Sequence, residues 1–430
     1  MNANERSDGG TVDAAQTAEA PPRLPPLWRN RDYMLLWSGQ VVSTVGSTAS
    51  GVVFPLLILA LTNSPAAAGI AGALFMLPYA LFSLPAGALV DRWDRKRVMI
   101  ACDLLSALVF AAIPVAFLFN ALTVLQLYIS AFLAGTLFVF FNIAEVAALP
   151  RVVPKAQLPN AAAQNQATFS VAGIVGPSLG TFLYGSVARM APFIADAVSY
   201  LVSAFTLSAI KTNFQRERAP KEASTLWSEI AEGVRWLWAQ PLLRFIAFMG
   251  SGLNLLLASE ALVMILRAKS LGASDEVIGV LFSVGSVGSL AGAVVAARIL
   301  KRLGLGAVLI GSMWASSLGY SLFIAAPNLL ALAVVAGALY AVGPVLNVAT
   351  LSYRAALVPD ELQGRVNSAF RLVAWGSQPV GAFLGGILIE QIGVIDTLLV
   401  FTVGLLLLAA VTTLNKHIRN ARPIEEVPAT

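Results

Sequence analysis

Ionisable side chains inside long apolar stretches are the residues of this sequence whose types could do chemistry. Glu260 lies in the apolar run 255–263, with no basic residue nearby to neutralise it. A carboxyl inside a membrane is costly as an anion and is a functional candidate by default. Such a group can take up a proton and release it near neutral pH, so Glu260 is the first candidate for proton coupling.

Three more charged residues are candidates for the same role, and each has a structural alternative. Asp103, about one turn inside an apolar stretch, could instead pair with the basic residues at 92–97. Asp32, at the edge of the first apolar stretch, is equally compatible with a helix cap and with a gate. Arg371 could pair with a carboxylate, line a cavity or extend its guanidinium toward the aqueous surface. A further carboxyl, Asp196, is expected near the opposite surface and in contact with water.

A dense cluster of acids and bases ends one apolar stretch and precedes the next. Residues 87–97 read Gly-Ala-Leu-Val-Asp-Arg-Trp-Asp-Arg-Lys-Arg, and a new apolar stretch begins at Val98. The pattern predicts a tight, highly charged turn on one face of a membrane, whereas a basic cluster that only stops translocation is the structural alternative. The candidate gating residues in this turn are Gly87, Asp91, Arg92, Arg95, Lys96 and Arg97.

The composition explains how these charges must be positioned. Of the 430 residues, 57% are hydrophobic and 12% are charged, and the mean hydropathy is +0.77, whereas soluble domains carry about 25% charged residues. One crossing needs about 20 mostly apolar residues in a helix. The sequence therefore predicts an all-α membrane protein with twelve transmembrane helices. The predicted spans are 33–60, 67–90, 98–119, 123–148, 160–186, 191–210, 243–267, 275–299, 306–326, 329–352, 365–389 and 393–415.

The distribution of basic residues predicts the orientation of these helices. Nearly all of the 28 Lys and Arg residues fall on one side of the predicted membrane, and short loops rich in them stay in the cytoplasm. We therefore predict a multi-pass protein of the cell membrane, with its N- and C-termini in the cytoplasm. The pI of about 9.4 then reflects attraction to anionic lipids of the bilayer and gives no support to nucleic-acid binding.

Several classes of function lack the residues that they need. Cys102 and His417 are the only residues of their types, so we expect no disulfide within the chain, no metal site and no cofactor. No phosphate-binding Gly-Lys-Ser/Thr loop is present for ATP, and neither HExxH nor GxSxG occurs in the context that an enzyme requires. The sequence contains no filter-like loop that would favour a channel. The sequence therefore argues against an enzyme.

The two halves of the chain follow the same plan. Val153-Pro154 and Val358-Pro359 precede spans five and eleven, and Ala86-Gly87 and Ala291-Gly292 recur at the same offset. This repeat predicts two pseudo-symmetric six-helix bundles.

A polar stretch separates the two predicted bundles. It carries Trp227, Ile230, Val234, Leu237 and Trp238 at helical spacing. The resulting apolar face is expected on the inner membrane surface, and a tether between the bundles is a compatible alternative. The predicted domains are a disordered cytoplasmic tail at 1–26, a six-helix bundle at 27–210, the linker at 211–241, a second bundle at 242–415 and a cytoplasmic tail at 416–430.

These features resemble the major facilitator superfamily over roughly residues 27–418. The segments 27–33 and 359–368 are similar to the branch that contains enterobactin exporters and macrolide-efflux proteins. Residues 87–97 resemble the signature loop Gly-x-x-x-Asp-Arg-x-Gly-Arg-Arg/Lys-Arg/Lys between the second and third helices. Asp94 replaces the usual Gly, and Asp tolerates a left-handed backbone better than most residues.

The resemblance implies two contacts for the charged turn. Asp91 is expected to bond near Gly364 to Asn367 at the start of span eleven, where unpaired backbone donors favour an anion. This contact would exist only while the cytoplasmic side is closed. Arg95 is expected to reach Glu145 at the inner end of span four.

Span five resembles the Gly-Pro-x-x-Gly motif that marks exporters of the superfamily. Proline removes a backbone hydrogen bond and glycines allow close helix packing, so the segment should bend. Small residues that only pack helices together are the alternative interpretation. The residues that match the motif are Gly173, Gly176, Pro177 and Gly180.

The resemblance implies a secondary active transporter that works by alternating access. We expect a monomeric, proton-coupled exporter of a small amphipathic molecule, such as a drug, macrolide, siderophore or other natural product, and a proton-coupled importer is the alternative. Its partners would be the substrate, protons and the lipid bilayer. Polar residues that could line its cavity, or equally form hydrogen bonds between helices, are Asn142, Gln166, Asn254, Asn347, Trp375 and Gln378.

Overall fold

The computed structural model describes residues 25–215, 226–359 and 362–421, and this part of the protein is all-helical. Residues 1–24 of the predicted tail 1–26, residues 422–430 of the predicted tail 416–430, and residues 216–225 of the predicted linker lie outside the described residues. The helices are α1 (Arg31–Thr62), α2 (Pro65–Arg92), α3 (Arg95–Leu118), α4 (Val124–Val152), α5 (Leu158–Phe182), α6 (Ala191–Ala209), α7 (Leu226–Ala239), α8 (Pro241–Leu257), α9 (Glu260–Ser270), α10 (Asp275–Ala325), α11 (Leu329–Leu357), α12 (Gln363–Trp375), α13 (Gln378–Leu414) and α14 (Lys416–Arg419).

Ten helical stretches of the described residues are long and apolar enough to cross a membrane. Two of them, Asp275–Ala325 and Gln363–Leu414, contain 51 and 52 residues, whereas about 20 residues span a bilayer. Gly304 and Gly393 interrupt these two stretches with φ values of 75° and 82°, a backbone that glycine adopts without steric penalty. Each stretch is therefore two helices joined at its glycine, and the described residues supply the twelve membrane-spanning helices that were predicted.

Side chains placed just before several helices explain where those helices begin. Each accepts a hydrogen bond from the backbone N–H three residues later, which satisfies a donor that the helix leaves unpaired. Asp94 does this at α3, because its carboxylate accepts from the Arg97 N–H at 3.0 Å. Its φ is −67°, so Asp94 serves as a cap and the left-handed backbone considered above is not used. The other capping side chains are those of Asn30, Ser64, Thr123 and Asn328.

The membrane helices form two halves, α1–α6 and α8–α13. In the first half α1 packs against α5 and α6, and in the second half α10 packs against α11 and α13. Between the halves, α2 packs against α13 and α5 packs against α10. We call the face with the α2–α3 turn the inner face and the face with the α1–α2 turn the outer face.

Close packing of α5 on α1 depends on a residue of the predicted Gly-Pro-x-x-Gly motif. A Cβ atom at Gly180 would lie 2.8 Å from the Cα of Ala49 and 2.7 Å from its carbonyl carbon. Because the obstructing atoms belong to backbone, no rotamer change can relieve the contact.

We expect Gly180→Ala to destabilise the protein by about 1–3 kcal/mol, as overpacking of a close helix contact does. The measurement is the melting temperature of the purified protein in detergent. The matched control is Gly311→Ala, because no atom lies within 4 Å of the position that a Cβ would occupy at Gly311. Equal melting temperatures for the two variants would contradict the packing argument.

The linker helix α7 packs on the protein at the inner end of α12. Its Gly233 leaves room for the backbone of Arg365, and Glu232 forms an ion pair with the Arg365 guanidinium. Leu237 is buried, whereas Trp238 is half exposed. The predicted apolar face therefore packs partly on the second half and not wholly on the membrane surface. Val234 is half-buried and packs against the core, and the side chains of the remaining predicted members, Trp227 and Ile230, lie outside the described residues.

Candidate functional site

The two halves meet closely at the outer face. Gly69 in α2 packs directly against Gly386 in α13, since a Cβ added at Gly69 would lie 2.7 Å from the Cα of Gly386. On the other side of the molecule, the hydroxyls of Ser178 in α5 and Ser283 in α10 are 2.8 Å apart and share a hydrogen bond. Both helix pairs that join the halves are thus closed toward the outer face.

Two carboxylates of the second half reinforce this closure. Glu390, near the outer end of the first segment of α13, accepts hydrogen bonds from the Ser64 hydroxyl and from the Ala66 N–H at 3.0 Å. It therefore occupies the N-terminus of α2, where the helix dipole favours an anion. Glu276, in the first turn of α10, accepts from the Ser186 hydroxyl at 3.4 Å.

The inner face is open at the charged turn. Asp91 is 68% exposed and pairs with Arg95 of its own half at 3.0 Å. Gly87 and Gly364 have no atom within 4 Å of the positions that a Cβ would take. Within the described residues, no hydrogen bond joins Asp91 to the segment 364–367, so the predicted contact remains a prediction for a state with a closed inner face.

The bases of the charged turn hold helix ends of the first half. Arg95 donates to the carbonyl of Ala147 in the last turns of α4 at 3.0 Å, and Lys96 donates to the carbonyl of Ser208 at the end of α6 at 3.0 Å. The Ser208 carbonyl lies in the last turn of α6, where carbonyls lack a partner within the helix, and a cation at a helix C-terminus is favourable. The predicted Arg95–Glu145 pair is not formed, because the guanidinium binds backbone while Glu145 faces a cavity.

This cavity has a volume of about 450 Å³ and lies mainly in the first half. Residues of α1–α6 form most of its wall. The second half contributes Ala258, Ser259, Ala261, Leu262 and Ala382. Of the predicted cavity residues only Asn142 lines it, whereas Gln166, Asn347 and Trp375 do not. The aromatic side chains that line it are Phe54, Phe75, Phe110, Phe138, Phe141, Phe169 and Tyr200.

Two buried carboxyls face this cavity. Asp103 is 1% exposed and its Oδ2 has no hydrogen-bond partner in the described structure. Glu145 is 8% exposed and accepts from the side-chain amide of Asn165 at 3.3 Å. Asp103 therefore does not pair with the basic residues at 92–97, which was its structural alternative. Sequence reasoning assigned Glu145 to the gate and missed its position in the cavity wall.

A third carboxyl of the first half is buried beside the cavity. Asp196 is fully buried and accepts from the hydroxyls of Ser47 at 3.4 Å, Ser50 and Ser199 at 3.3 Å. The expectation that it contacts water is therefore wrong. Hydroxyl donors from α1 and α6 satisfy this group, so Asp196 joins two helices.

Glu260 lies outside the wall of the cavity. It opens α9 after a break that separates this helix from α8 at Ala258 and Ser259. The carboxyl is close enough to Tyr320 and Tyr340 to interact with them electrostatically. Within the described residues, no Lys or Arg forms an ion pair with Glu260, as its sequence context predicts.

Two predicted cavity residues instead connect helices within the second half. The side-chain amide of Asn254 donates to the carbonyl of Ala374 at 2.9 Å, and Gln378 donates to the side-chain oxygen of Asn254 at 2.9 Å. These bonds tie α8 to the junction of α12 and α13. Asn254 and Gln378 therefore follow the alternative of hydrogen bonds between helices.

Arg371 lies between the two halves on the inner side. Its guanidinium is 5.0 Å from the ring centre of Trp375 and 5.9 Å from that of Tyr79, whose own centres are 5.4 Å apart. Tyr79 follows Phe75 by one helical turn toward the inner face, so these rings stand near the inner mouth of the cavity. Asp32 instead accepts from the Thr212 N–H at 2.8 Å and holds the segment after α6. Asn30, not Asp32, caps α1.

The predicted exporter motif forms two packing surfaces on α5. Gly176 and Gly180 face Thr48 and Ala49 of α1, while Gly173 faces Ser286 of α10. Pro177 lies inside the helix and its carbonyl accepts from the Thr181 hydroxyl at 3.0 Å. The motif thus lies on one of the two helix pairs that join the halves.

Comparisons with known proteins match nearly the whole chain. A family described as transmembrane secretion effectors matches residues 23–429. The multidrug efflux pump Tap of Mycolicibacterium fortuitum is 27% identical over 402 residues, which cover 90% of this chain and 96% of that protein. Macrolide efflux protein A of Streptococcus pyogenes is 28% identical over 207 residues, which cover 48% and 51%.

The fold is similar to that of a bacterial homologue of the iron transporter ferroportin. Its inward-facing crystal structure matches with a TM-score of 0.72 at 15% identity, covering 90% of this chain and 98% of that one. Its outward-facing structure gives a TM-score of 0.58 at 16% identity, covering 89% and 98%. The halves are therefore arranged more as in the inward-facing form. With the family match, the duplicated halves and the signature turn, the chain belongs to the transmembrane secretion effector family of the major facilitator superfamily, and it is a multi-pass membrane transporter.

Proposed function

We propose that this transporter is a proton-coupled exporter of a small amphipathic molecule and works by alternating access. The observation that carries the proposal is the cavity of about 450 Å³, which touches both halves and lies beneath a closed outer face. Cavities of about 300–1,000 Å³ suit drug-sized molecules. Relatives named as a multidrug efflux pump and a macrolide efflux protein support the direction of transport.

In the proposed cycle, substrate enters from the inner face in the conformation described here. The charged turn then closes the inner face, and the contacts of Glu390 and Glu276 open to release substrate on the outer side. We assign the inner face to the cytoplasm, because basic loops remain there. The proton gradient would supply the energy, with Glu260 as the first candidate for the proton carrier.

The test of this function uses a panel of drugs, macrolides and siderophores in cells that lack or express the protein. We expect expression to lower the retention of at least one compound, and a protonophore to restore that retention. Unchanged retention across the whole panel would count against export.

A proton-coupled importer on the same fold is the second candidate. Vesicles separate the two directions, since an exporter loads inverted vesicles when their interior is acidified, whereas an importer loads right-side-out vesicles when the exterior is acidified. Accumulation only in right-side-out vesicles would replace our proposal by this alternative.

Removal of the outer contact should shift the conformational equilibrium. We expect Glu390→Gln to raise the outward-open population about two- to fivefold, because an anion at a helix N-terminus is lost. The measurement is the rate at which an impermeant maleimide labels a Ser178→Cys reporter in a Cys102→Ser background, since Ser178 lies between the halves. The control is Asp396→Asn, an exposed carboxyl without a contact to the first half in the described structure. Equal labelling rates in both variants would refute the role of Glu390.

A further inference from the structure

The charges that face the cavity all have one sign. Asp103 and Glu145 are its only ionisable acidic lining residues, and no Lys, Arg or His is among the described residues that line it. Field lines in such a low-dielectric cleft concentrate the opposite charge. The cavity therefore favours a cation over an anion.

One oxygen atom of these acids lacks a hydrogen-bond partner, although the Ser203 hydroxyl lies close to the same carboxyl. Asp103 is almost fully buried, yet its Oδ2 accepts no hydrogen bond in the described structure. A buried polar atom without a partner is rare in native proteins and calls for an explanation such as an unoccupied binding site. Because Asp103 lines the cavity, a bound donor could reach this oxygen.

The second acid lies close enough to Asp103 for the two to interact electrostatically. Two carboxyls that share a site repel each other when both are ionised. A cation between them would remove this repulsion and would gain from both. Glu145 accepts a weak bond of 3.3 Å from Asn165 and also lies close to the side chain of Gln40. A carboxylate has two acceptor oxygens, so Glu145 retains acceptor capacity for a ligand.

The remaining wall fits the apolar part of an organic cation. Phe110 and Phe138 stand on the helices that carry Asp103 and Glu145, and Phe169 and Tyr200 complete an aromatic lining. Aromatic faces attract organic cations and bury apolar surface at the same time. An inorganic cation has no apolar surface to bury against this wall, so it would gain less from it than an organic cation.

We propose that the cavity binds an amphipathic organic cation, with the cationic group held by the carboxylates of Asp103 and Glu145. This inference rests on the proposed export function and narrows its substrate class. It favours compounds with a basic nitrogen or another onium centre over anionic siderophores.

The experiment compares two ions of closely similar shape and opposite charge. Full-length protein in lipid nanodiscs is titrated with tetraphenylphosphonium and with tetraphenylborate, and binding to empty nanodiscs is subtracted. We expect the wild-type protein to bind the cation at least about tenfold more tightly than the anion, as a close charge pair in a low-dielectric site produces. Equal affinity for the two ions would overturn the proposal.

Variants connect this preference to the two acids. We expect Asp103→Asn and Glu145→Gln each to weaken cation binding about tenfold or more, and Asp396→Asn, an exposed carboxyl outside the cavity, to leave it unchanged. Gel filtration verifies that each variant is folded, and Glu145→Gln decides the result if Asp103→Asn does not fold. Unaltered cation affinity in the folded variants would also overturn the proposal.

The binding assay needs no gradient and is therefore independent of transport. Cation binding without gradient-driven movement would defeat the proposed export function but not this assignment. Export of a compound together with equal affinity for the two ions would defeat this assignment but leave the proposed export function standing.

Discussion

Replacing Glu260 by Gln should abolish accumulation of substrate against its gradient while leaving exchange of substrate across the membrane. Glutamine has nearly the same shape but cannot take up and release a proton. Glu260 begins α9 beside Tyr320 and Tyr340, without an ion-pair partner among the described residues. A carboxyl in such a place is suited to carry a proton.

The measurement uses inverted vesicles and the compound that gives the largest signal with the wild-type protein. Uptake driven by a proton gradient should fall to the level of empty vesicles, whereas counterflow of labelled against unlabelled compound should persist. Asp396→Asn removes one exposed carboxyl and should retain both activities. Normal gradient-driven uptake by Glu260→Gln would exclude Glu260 as the carrier, and Asp103 would become the next candidate.

The crossings of this protein could be predicted from apolar length alone, because a bilayer admits little besides continuous helices. The first span was expected at 33–60 and is Arg31–Thr62. The interruption between α8 and α9 was not foreseen, since Ala258 and Ser259 carry no helix-breaking signal. At the corresponding junction of α12 and α13, Gly376 and Pro379 carry such a signal, but the predicted span 365–389 ran through it.

The positions of site residues around each helix could not be predicted in the same way. A membrane helix is apolar on most of its circumference, so its sequence carries little information about which side faces a cavity. Asn254 and Gln378 therefore looked as suitable as Asn142, yet they bond to each other and Asn142 lines the cavity. For Glu145, the nearby Arg95 suggested an ion pair, but in the structure the Arg95 guanidinium binds backbone carbonyls instead.

The helix α2 and the stretch formed by α12 and α13 explain how the same elements could close either face. They pack together between the halves, and Glu390 of α13 binds the N-terminus of α2 at the outer face. Asp91 lies at the opposite, inner end of α2, and the helical stretch that contains α13 begins there at Gln363. Glu390 thus caps α2 at the outer face, and Asp91 would cap α12 at the inner face in the other state, so the two faces must close in turn.

Replacing Asp91 by Asn should therefore favour the inward-open state. If Asp91 caps the segment 364–367 when the inner face closes, its loss removes about 1–2 kcal/mol from that state and lowers the outward-open population about 5- to 30-fold. The lost pair with Arg95 matters less, because it is largely exposed and exposed pairs contribute little. The expected result is slower labelling of the Ser178→Cys reporter from outside and a matching fall in transport.

Asp94→Asn is the matched control for this prediction, because it removes a carboxylate from the same turn. Asparagine caps a helix as well as aspartate does, so the bond to Arg97 and the start of α3 should survive. We expect this control to label and transport at the wild-type rate. If both variants slow labelling equally, the net charge of the turn controls the inner face and Asp91 forms no specific cap. If neither variant slows labelling, α12 closes the inner face without a cap from Asp91.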